Sequence, residues 1–451
     1  MRNFFQKMFN VRSGEAGLVV ILSLLLLGNT AARQMSGIVG ISDVINTGGV
    51  NQTLIVNLIN GMLILLTAMF SSLIVDRYNR IELLKWTCFA FAMIFILLRM
   101  ISIVSVPTKI IASLVYLMSQ QQWLVFPMFF WVMTNDIFEV SQTKRLIPVI
   151  GSWSFIGKLL GIGLTLLPAL LFRIGWLSSK ELTLEMVTLA NLVFYLLAFL
   201  LITISFRKVQ IREVSHIPET LKETLTEGWG FVREVPSFLY LLLAVVGIGF
   251  CDVVLEFRFF VTAKGTISDP VNYKTFYSLY LLAAGIISFA IQGFVTSRIV
   301  QRFQLKNTFL IQPLMALGTS IAMIASPEVI SASISSLLLK ISRNTIDEAT
   351  RKAYQGLVPE ERRGRVALFT DNYAPAIGMV LASAVTGLIV YIGDRTGFSY
   401  TFFIYLGVSV LAASFALWAI MRMRAVYDSS LMNWRLKRRK RAVDLLKKLE
   451  F

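Results

Sequence analysis

Residues 129–161 have the sequence FFWVMTNDIFEVSQTKRLIPVIGSWSFIGKLLG. In this stretch an apolar segment ends in the polar group 134–139, a basic pair follows, and a second apolar segment begins at Leu146. The pattern predicts two membrane helices joined by a tight charged corner, because apolar segments of this length can cross a bilayer. Lys158 lies about three turns into the second segment, so it places a cation inside a membrane helix.

The composition is that of a membrane protein with many spans. Of the 451 residues, 56% are hydrophobic and only 15% are charged, whereas soluble domains carry about 25% charged residues. The formal net charge is +17, but the basic residues lie mainly in short loops between apolar segments. Membrane topology explains such loops, so the charge does not indicate a nucleic-acid partner.

The sequence offers no motif for catalysis or metal binding. Cys88 and Cys251 fall within apolar segments, and the only histidine, His216, lies in a loop. Neither a zinc pattern, a phosphate-binding loop nor a nucleophile elbow is present. We therefore expect a protein that is not an enzyme and that has no metal site and no cofactor.

The apolar segments predict an all-α integral membrane protein with twelve transmembrane helices. The predicted spans are 17–39, 53–75, 86–106, 111–134, 146–172, 185–206, 237–262, 274–296, 307–326, 328–347, 372–393 and 400–423. The loops after even-numbered spans, together with the two ends, hold most of the 43 Lys and Arg residues. Because basic loops stay on the inner side, both termini are predicted to be cytoplasmic.

The longest internal loop divides the chain into two halves. We expect a six-helix bundle at 1–206, a cytoplasmic linker with an amphipathic helix at 207–236, a second six-helix bundle at 237–427 and a basic cytoplasmic tail at 428–451. The linker helix is indicated by an apolar stripe along one face, formed by Leu221, Leu225 and Trp229. Basic residues near a membrane surface attract anionic lipid by about 1 kcal/mol each, so membrane lipids are expected partners of the tail.

One loop supports this six-plus-six layout. Residues 72–80, SLIVDRYNR, resemble the G-x-x-x-D-R-x-G-R-like loop of the major facilitator superfamily. Asp76, Arg77 and Arg80 match that pattern, while Ser72 and Asn79 replace its glycines. The resemblance implies a major-facilitator-type fold of two six-helix bundles, with Asp76 and Arg77 as a charge latch between the two halves.

Charged residues inside the spans are the candidate site residues. A charge in a membrane helix costs about 2.5–3.5 kcal/mol, so those present usually face a bundle interior. We predict Arg33, Lys158 and Lys340 as contacts for an anionic solute, with Asn29 and Arg258 as further substrate contacts. For two of these residues the sequence leaves two alternatives. Arg33 lies either in a cavity or near the outer interface, and Lys158 either faces a cavity or pairs with an acid.

The seventh span is the richest in charge. Asp252 and Glu256 share a helix face, and Gly247 and Gly249 one turn earlier allow bending or close approach. Glu256 is expected to pair with a cation from the other half when the cavity closes, or to carry a proton, whereas an ion pair with Arg258 is disfavoured because residues two apart point to different faces. Asp252 is expected either to share the role of Glu256 or to form a hydrogen bond to a neighbouring helix.

The charged corner adds a second set of gating candidates. We predict that Lys144 and Arg145 act in coupling or gating together with Glu256 and Asp252. Within the spans the cations outnumber the acids, and a basic cavity suits an anionic solute such as a phosphate ester, nucleotide, carboxylate or lipid headgroup.

The corner also carries a family resemblance. Phe130-Trp131, Asn135 and residues 144–151, KRLIPVIG, resemble the F-W-x-x-A-N…A-K-R-x-Y-P-L-F-G pattern of the non-mitochondrial ATP/ADP translocase family. The Val-Glu of that family is similar to Val254-Leu255-Glu256 here. The family's first span continues as Arg-Asp-Thr-Lys-Asp, with the lysine implicated in nucleotide binding. Here residues 33–37 are RQMSG, so Arg33 aligns and Ser36 replaces the lysine.

We therefore predict a monomeric secondary transporter for a small anionic solute, which works by alternating access. The resemblance implies that the solute is a nucleotide or phosphate ester, with ATP/ADP-type exchange as one possibility, and that the membrane is a bacterial inner membrane. Two alternatives stay open, a transporter or flippase for a lipid or lipid-linked intermediate, and a transport-inactive scaffold that binds a partner protein through the basic tail.

Overall fold

A computed structural model describes residues 15–75, 78–104, 106–174, 182–207, 226, 229–230, 232–356, 358 and 360–449. Over these residues the chain forms helices joined by short turns, and no strand occurs among them. Asp76 and Arg77, most of the linker 207–236 and the side chain of Lys144 lie outside the described part. The predicted latch and linker helix therefore stay predictions.

Twelve helices, labelled in chain order, correspond to the predicted spans. They are α1 Ala16–Gly48, α2 Gln52–Val75, α3 Arg80–Ile103, α4 Thr108–Ile137, α5 Val140–Arg173, α6 Leu184–Ser205, α7 Pro236–Thr266, α8 Pro270–Phe294, α9 Ile311–Ala325, α10 Val329–Ser342, α11 Ala374–Thr396 and α12 Thr401–Leu449. Short helices at Thr296–Phe303, Leu305–Thr308, Glu348–Gln355 and Glu360–Leu368 complete the described set.

Local sequence signals set several of the helix ends. The Asn79 side chain accepts hydrogen bonds from the first amides of α3, and the Thr183 hydroxyl accepts one from the first turn of α6. Gly49 and Gly397 follow α1 and α11 with positive φ, a conformation that costs glycine little. Ser326 and Pro327 form the hinge that separates α9 from α10, because proline does not continue a helix.

Ten helical segments in the described part are long and apolar enough to cross a membrane. The α4 and α10 helices do not belong to this set. Polar side chains such as Gln120–Gln122 lower the hydropathy of α4, while α10 has only 14 residues before its geometry changes. Length and composition thus support ten of the twelve predicted spans.

Two segments of π-helix interrupt the second half of the chain. The first, π1, spans Arg343–Asp347 between α10 and the helix Glu348–Gln355. The second, π2, spans Phe369–Tyr373 directly before α11. Between the predicted spans ten and eleven, Glu360–Leu368 is helical and runs into π2.

Contacts divide the chain into two compact units. Unit 1 comprises residues 1–56, 69–218 and 264–285. Its central helix is α1, which packs against α4, α5 and α6, while α3 packs against α4 and α6. Gly157 and Gly161 of α5 lie directly against the backbone of α1, because a Cβ at Gly161 would be only 2.6 Å from the carbonyl oxygen of Ala31. This small-residue spacing lets two membrane helices approach closely.

Unit 2 comprises residues 57–68, 219–263 and 286–451. Its most buried helix is α7, which carries Asp252 and Glu256. The close approach predicted at Gly247 and Gly249 is confirmed, since their Cβ positions would lie 3.0 Å from the carbonyl oxygens of Ala412 in α12 and Pro375 in α11. These contacts fix the rotation of α7 and therefore the direction of its two acids.

Candidate functional site

Arg33 is a cation in α1 with an aromatic neighbour but no acid. Its guanidinium lies 5.8 Å from the ring centroid of Trp123 in α4. No carboxylate among the described residues lies within ion-pair distance of Arg33, although the side chain is partly buried. A cation in a membrane helix is costly when nothing neutralises it, and the ring of Trp123 is a described neighbour that can partly offset the charge of Arg33.

A neutral hydrogen-bond network lies beside Arg33 on the side of α1 that faces α6. The Tyr195 hydroxyl donates to Asn29 Oδ1 at 2.7 Å, and Asn191 Nδ2 donates to Ser36 Oγ at 2.9 Å. Gln122 donates in turn to Asn191. Asn29 and Ser36 are buried and hold α1 against α6, so the structure does not place Asn29 with Arg33 in an accessible position.

Ser36 is a residue at which this chain departs from the family pattern, and its surroundings explain why a lysine does not fit there. It occupies the position at which the resemblance implied a lysine, and here it is fully buried. A lysine at this point would break the bond with Asn191 and would place an ammonium group beside neutral amides. The interior of unit 1 is therefore adapted to the smaller hydroxyl.

Lys158 is half-buried on α5 and turns towards α8. Its Cε lies 3.7 Å from the position that a Cβ of Gly285 would occupy. Because Gly157 and Gly161 press one face of α5 onto α1, the intervening Lys158 is directed to a different face. The glycine at position 285 leaves the space that the long side chain of Lys158 uses.

Two ion pairs hold the charged corner between α4 and α5. Arg145 contacts both carboxylate oxygens of Glu15, with the shorter distance at 2.7 Å. Arg80, at the start of α3, lies 2.7 Å from Asp136. Both pairs join segments that are far apart in the sequence, and Glu15 was not among the predicted partners. Arg145 thus pairs with the residue that precedes α1, and its gating role stays a prediction.

Unit 2 contains a ladder of ion pairs between α7 and the α10–π1 segment. Glu256 pairs with Lys340 at 3.1 Å, and Asp252 pairs with Arg343 at 2.7 Å. The two helices run in opposite directions here, since the later acid meets the earlier cation. Glu256 therefore pairs with a cation of its own half and not with one from the other half as predicted, and Asp252 reaches a neighbouring helix.

The ladder continues towards π2 through Arg351. Its guanidinium lies 3.0 Å from Asp347 and 3.3 Å from Asp371, and Asp371 also accepts from Lys352 at 2.6 Å. Burial by itself lowers the pKa of Arg351, but the surrounding carboxylates of Asp347 and Asp371 outweigh it and raise the pKa. Arg351 is consequently a fixed cation that ties the two π segments together.

Arg258 lies outside this ladder. Its guanidinium stacks 4.3 Å from the ring centroid of Phe402 and donates to the carbonyl oxygen of Pro327 at 3.3 Å. Arg258 is buried and faces a different side of α7 from Glu256, which confirms that these two residues do not form a pair. The structure places it where it packs the α9–α10 turn against α12.

Sequence analysis missed Arg343 and Glu15 as partners. Arg343 was not singled out as a site residue, because the sequence does not show that a π turn follows directly after α10. The signal that was available is the spacing of Lys340, Arg343, Asp347 and Arg351, which recur every three or four residues on one helix face.

Comparisons of the whole fold show which proteins the chain is similar to. Nucleoside transporter NupG matches with a TM-score of 0.64 and 12% identity, over 90% of this chain and 99% of that one. A bacterial homologue of the iron transporter ferroportin matches with a TM-score of 0.61 and 14% identity, over 92% and 99%. A bacterial homologue of the human lysosomal transporter Spinster matches with a TM-score of 0.60 and 14% identity, over 93% and 98%.

These identities show the fold alone, which is the predicted major-facilitator-type fold of a membrane transporter. No curated protein sequence matches the chain. The family profile described as TLC ATP/ADP transporter matches residues 48–343, which is well over half of the chain. The match confirms the family that the corner at 129–161 resembles. This transporter therefore belongs to the TLC ATP/ADP transporter family.

Proposed function

We propose that this protein is a secondary transporter that moves a small anionic solute by alternating access, with a nucleotide or another phosphate ester as the first candidate. The observation that supports this most directly is Arg33, a partly buried cation without an acid among the described residues. A phosphate or carboxylate that binds there supplies the missing negative charge and charge-assisted hydrogen bonds.

Trp123 suits the same class of solute. Its indole is exposed beside Arg33, and an exposed aromatic ring next to a guanidinium offers a flat apolar surface together with a positive charge. Nucleotides combine a flat base with a charged phosphate, so they fit both features. Family membership supports the same substrate class, because the family description names ATP and ADP.

Lys158 provides a second cation in unit 1. It lies on α5 in the space beside Gly285, with its side chain partly exposed. Two cations suit a solute with more than one negative charge, such as a nucleotide, better than they suit a monovalent carboxylate. We therefore expect that a nucleoside diphosphate is preferred over its uncharged nucleoside.

Uptake into proteoliposomes tests the proposal. Purified full-length protein is reconstituted, and uptake of labelled ADP, inorganic phosphate, glucose 6-phosphate and succinate is measured. Arg33→Gln should reduce uptake of the preferred anion about tenfold or more, since a hydrogen bond to a charged group contributes about 1.5–3 kcal/mol. Trp123→Ala should raise KM for ADP and leave KM for inorganic phosphate nearly unchanged.

Arg99→Gln is the matched control. Arg99 lies on α3 in an exposed pair with Glu185 at 3.0 Å, so its loss removes one positive charge without changing the surroundings of Arg33. Uptake by this variant should stay within about twofold of the wild type, because exposed ion pairs contribute little. The proposal is wrong if the wild type takes up none of the four anions, or if Arg33→Gln and Arg99→Gln behave alike.

A further inference from the structure

The ion-pair ladder of unit 2 contains two cations that are partly exposed and paired at the same time. We propose that Lys340 and Arg343 form an anion-binding site at which a phosphate group of the solute replaces the carboxylates of Glu256 and Asp252. The inference rests on the proposed function, since it assumes that the solute is anionic. In this proposal Arg343 contacts the substrate, and Asp252 competes with the substrate for Arg343.

Exposure distinguishes the two partners of the Arg343 pair. The side chain of Arg343 is 39% exposed, whereas that of Asp252 is 13% exposed. Lys340 and Glu256 are each 28% exposed. A cation that reaches the open side of the pair can accept an incoming anion without first leaving its carboxylate. The replacement can then proceed in steps, and Arg343 is never left without a counter-charge.

The geometry of the Arg343–Asp252 contact is that of a replaceable pair. Arg343 Nη1 lies 2.7 Å from Asp252 Oδ2, yet that oxygen accepts no aligned hydrogen bond within the described structure. Arginine binds a carboxylate most strongly through two parallel hydrogen bonds, and this arrangement is not formed here. A phosphate group presents three acceptor oxygens and more charge, so it can form the bonds that Asp252 does not.

Arg351, further along the ladder, is less exposed and has more acidic partners. Arg351 is held by two carboxylates, those of Asp347 and Asp371, and its side chain is only 13% exposed. Asp347 thereby pairs with Arg351. Lys352 is exposed as well, but it pairs with Asp371 at the far end of the ladder, so Lys340 and Arg343 are the partly exposed cations that face α7.

A π segment, π1, begins directly at this group of charges. A π turn adds a residue to a helix and shifts the side chains that follow it, and such segments occur frequently at functional sites. In this protein π1 starts at Arg343, one turn after Lys340, and both side chains point to α7. The interruption thus falls at the residue to which we assign the solute contact.

Binding measurements on purified full-length protein test the inference with ADP and inorganic phosphate as probes. Asp252→Asn removes the competitor at nearly constant volume and should lower Kd about tenfold, since a site occupied nine-tenths of the time by its own acid binds about tenfold more weakly. Arg343→Gln should raise Kd about tenfold or more. If Arg343→Gln does not fold, Arg343→Lys should fold and raise Kd less.

Asp347→Asn is the matched control, because it removes an acid of the same ladder that pairs with Arg351 and not with Arg343. Its Kd should stay within about twofold of the wild type. A pair that only stabilises the fold gives the opposite result, with Kd unchanged or raised in Asp252→Asn and a lower melting temperature. That result would overturn the inference.

The same measurements separate this inference from the proposed function. If the wild type binds neither probe, the proposed function fails and the inference with it. If the wild type binds ADP and Arg33→Gln weakens binding, but Asp252→Asn does not strengthen it, only the inference at Lys340 and Arg343 fails.

Discussion

Individual cations in this protein differ in what neutralises them. Lys274 of α8 is buried and lies 3.0 Å from Asp43 of α1, while Arg258 relies on an aromatic ring and a backbone carbonyl. Arg33 has an aromatic neighbour and no acid in the described structure. The surroundings of Lys274 and Arg258 are those of structural cations, whereas Arg33 is the cation for which we propose a solute contact. The sequence alone does not distinguish these three residues.

The Lys274–Asp43 pair provides a test of stability at the residue scale. The side chains are 4% and 17% exposed, and Lys274 also donates to the carbonyl oxygen of Leu182. Lys274→Ala leaves Asp43 buried without its cation, which should cost about 3–5 kcal/mol. The expected result is a clearly lower unfolding temperature of the purified protein in detergent.

Two further variants test whether the loss of stability is specific to the buried Lys274–Asp43 pair. Asp43→Leu combined with Lys274→Met removes both charges and should recover most of the lost stability, because an apolar pair of similar volume avoids the buried charge. Arg99→Ala, in the exposed pair with Glu185, should change the free energy of unfolding by less than about 1 kcal/mol. Equal losses for Lys274→Ala and Arg99→Ala would contradict the structure.

At the scale of elements, glycines decide how the helices meet. Gly157 and Gly161 let α5 lie against the backbone of α1, and this contact fixes the direction of Lys158. The stretch 129–161 therefore contains both the charged corner and the spacing that orients its lysine. Sequence analysis identified the corner and the lysine, but it did not use the glycines on either side of Lys158.

Substitution of two nearby glycines tests this packing. Gly161→Ala places a methyl group 2.6 Å from the carbonyl oxygen of Ala31, so the helices must separate, at a cost of about 1–3 kcal/mol. Gly163→Ala meets no atom within 4 Å and should be neutral or stabilising by up to about 1 kcal/mol. Thermal unfolding of both variants gives the comparison, and a neutral Gly161→Ala would rule out the close contact.

The last helix is another element that the sequence described only in part. α12 begins at Thr401 and continues to Leu449, so the predicted basic tail starts as a continuation of a membrane helix. Lys306 pairs with Asp428 at 2.6 Å, and Tyr427 stacks on the buried Tyr354. These contacts fasten the point at which the tail leaves unit 2.

At the scale of the whole molecule, the distribution of Lys and Arg predicts the orientation in the membrane. We expect both termini on the cytoplasmic side, because most basic residues follow even-numbered spans or lie at the two ends. In a bacterial host, green fluorescent protein fused to the C-terminus should fluoresce, and alkaline phosphatase at the same position should be inactive. Active phosphatase would mean that the orientation is reversed.

Much of the molecule follows from local rules that act along the chain. Apolar length predicted the helices, with ten segments supported as spans, and capping residues such as Asn79 and Thr183 define helix ends. The hinge before α10 followed from proline. The π-helical interruption at π1 did not follow from local sequence, because a π turn depends on the neighbouring helices that the segment contacts.

The sequence by itself determined that this is an all-helical membrane transporter, because the length of apolar spans, the positions of basic loops and the family pattern at 129–161 are properties of a linear chain. Only the tertiary structure decided which charges meet. Glu256 and Lys340, or Arg145 and Glu15, are brought together by the rotation of each helix about its axis. That rotation is set by close packing at a few glycines, and a pattern along one helix does not contain it.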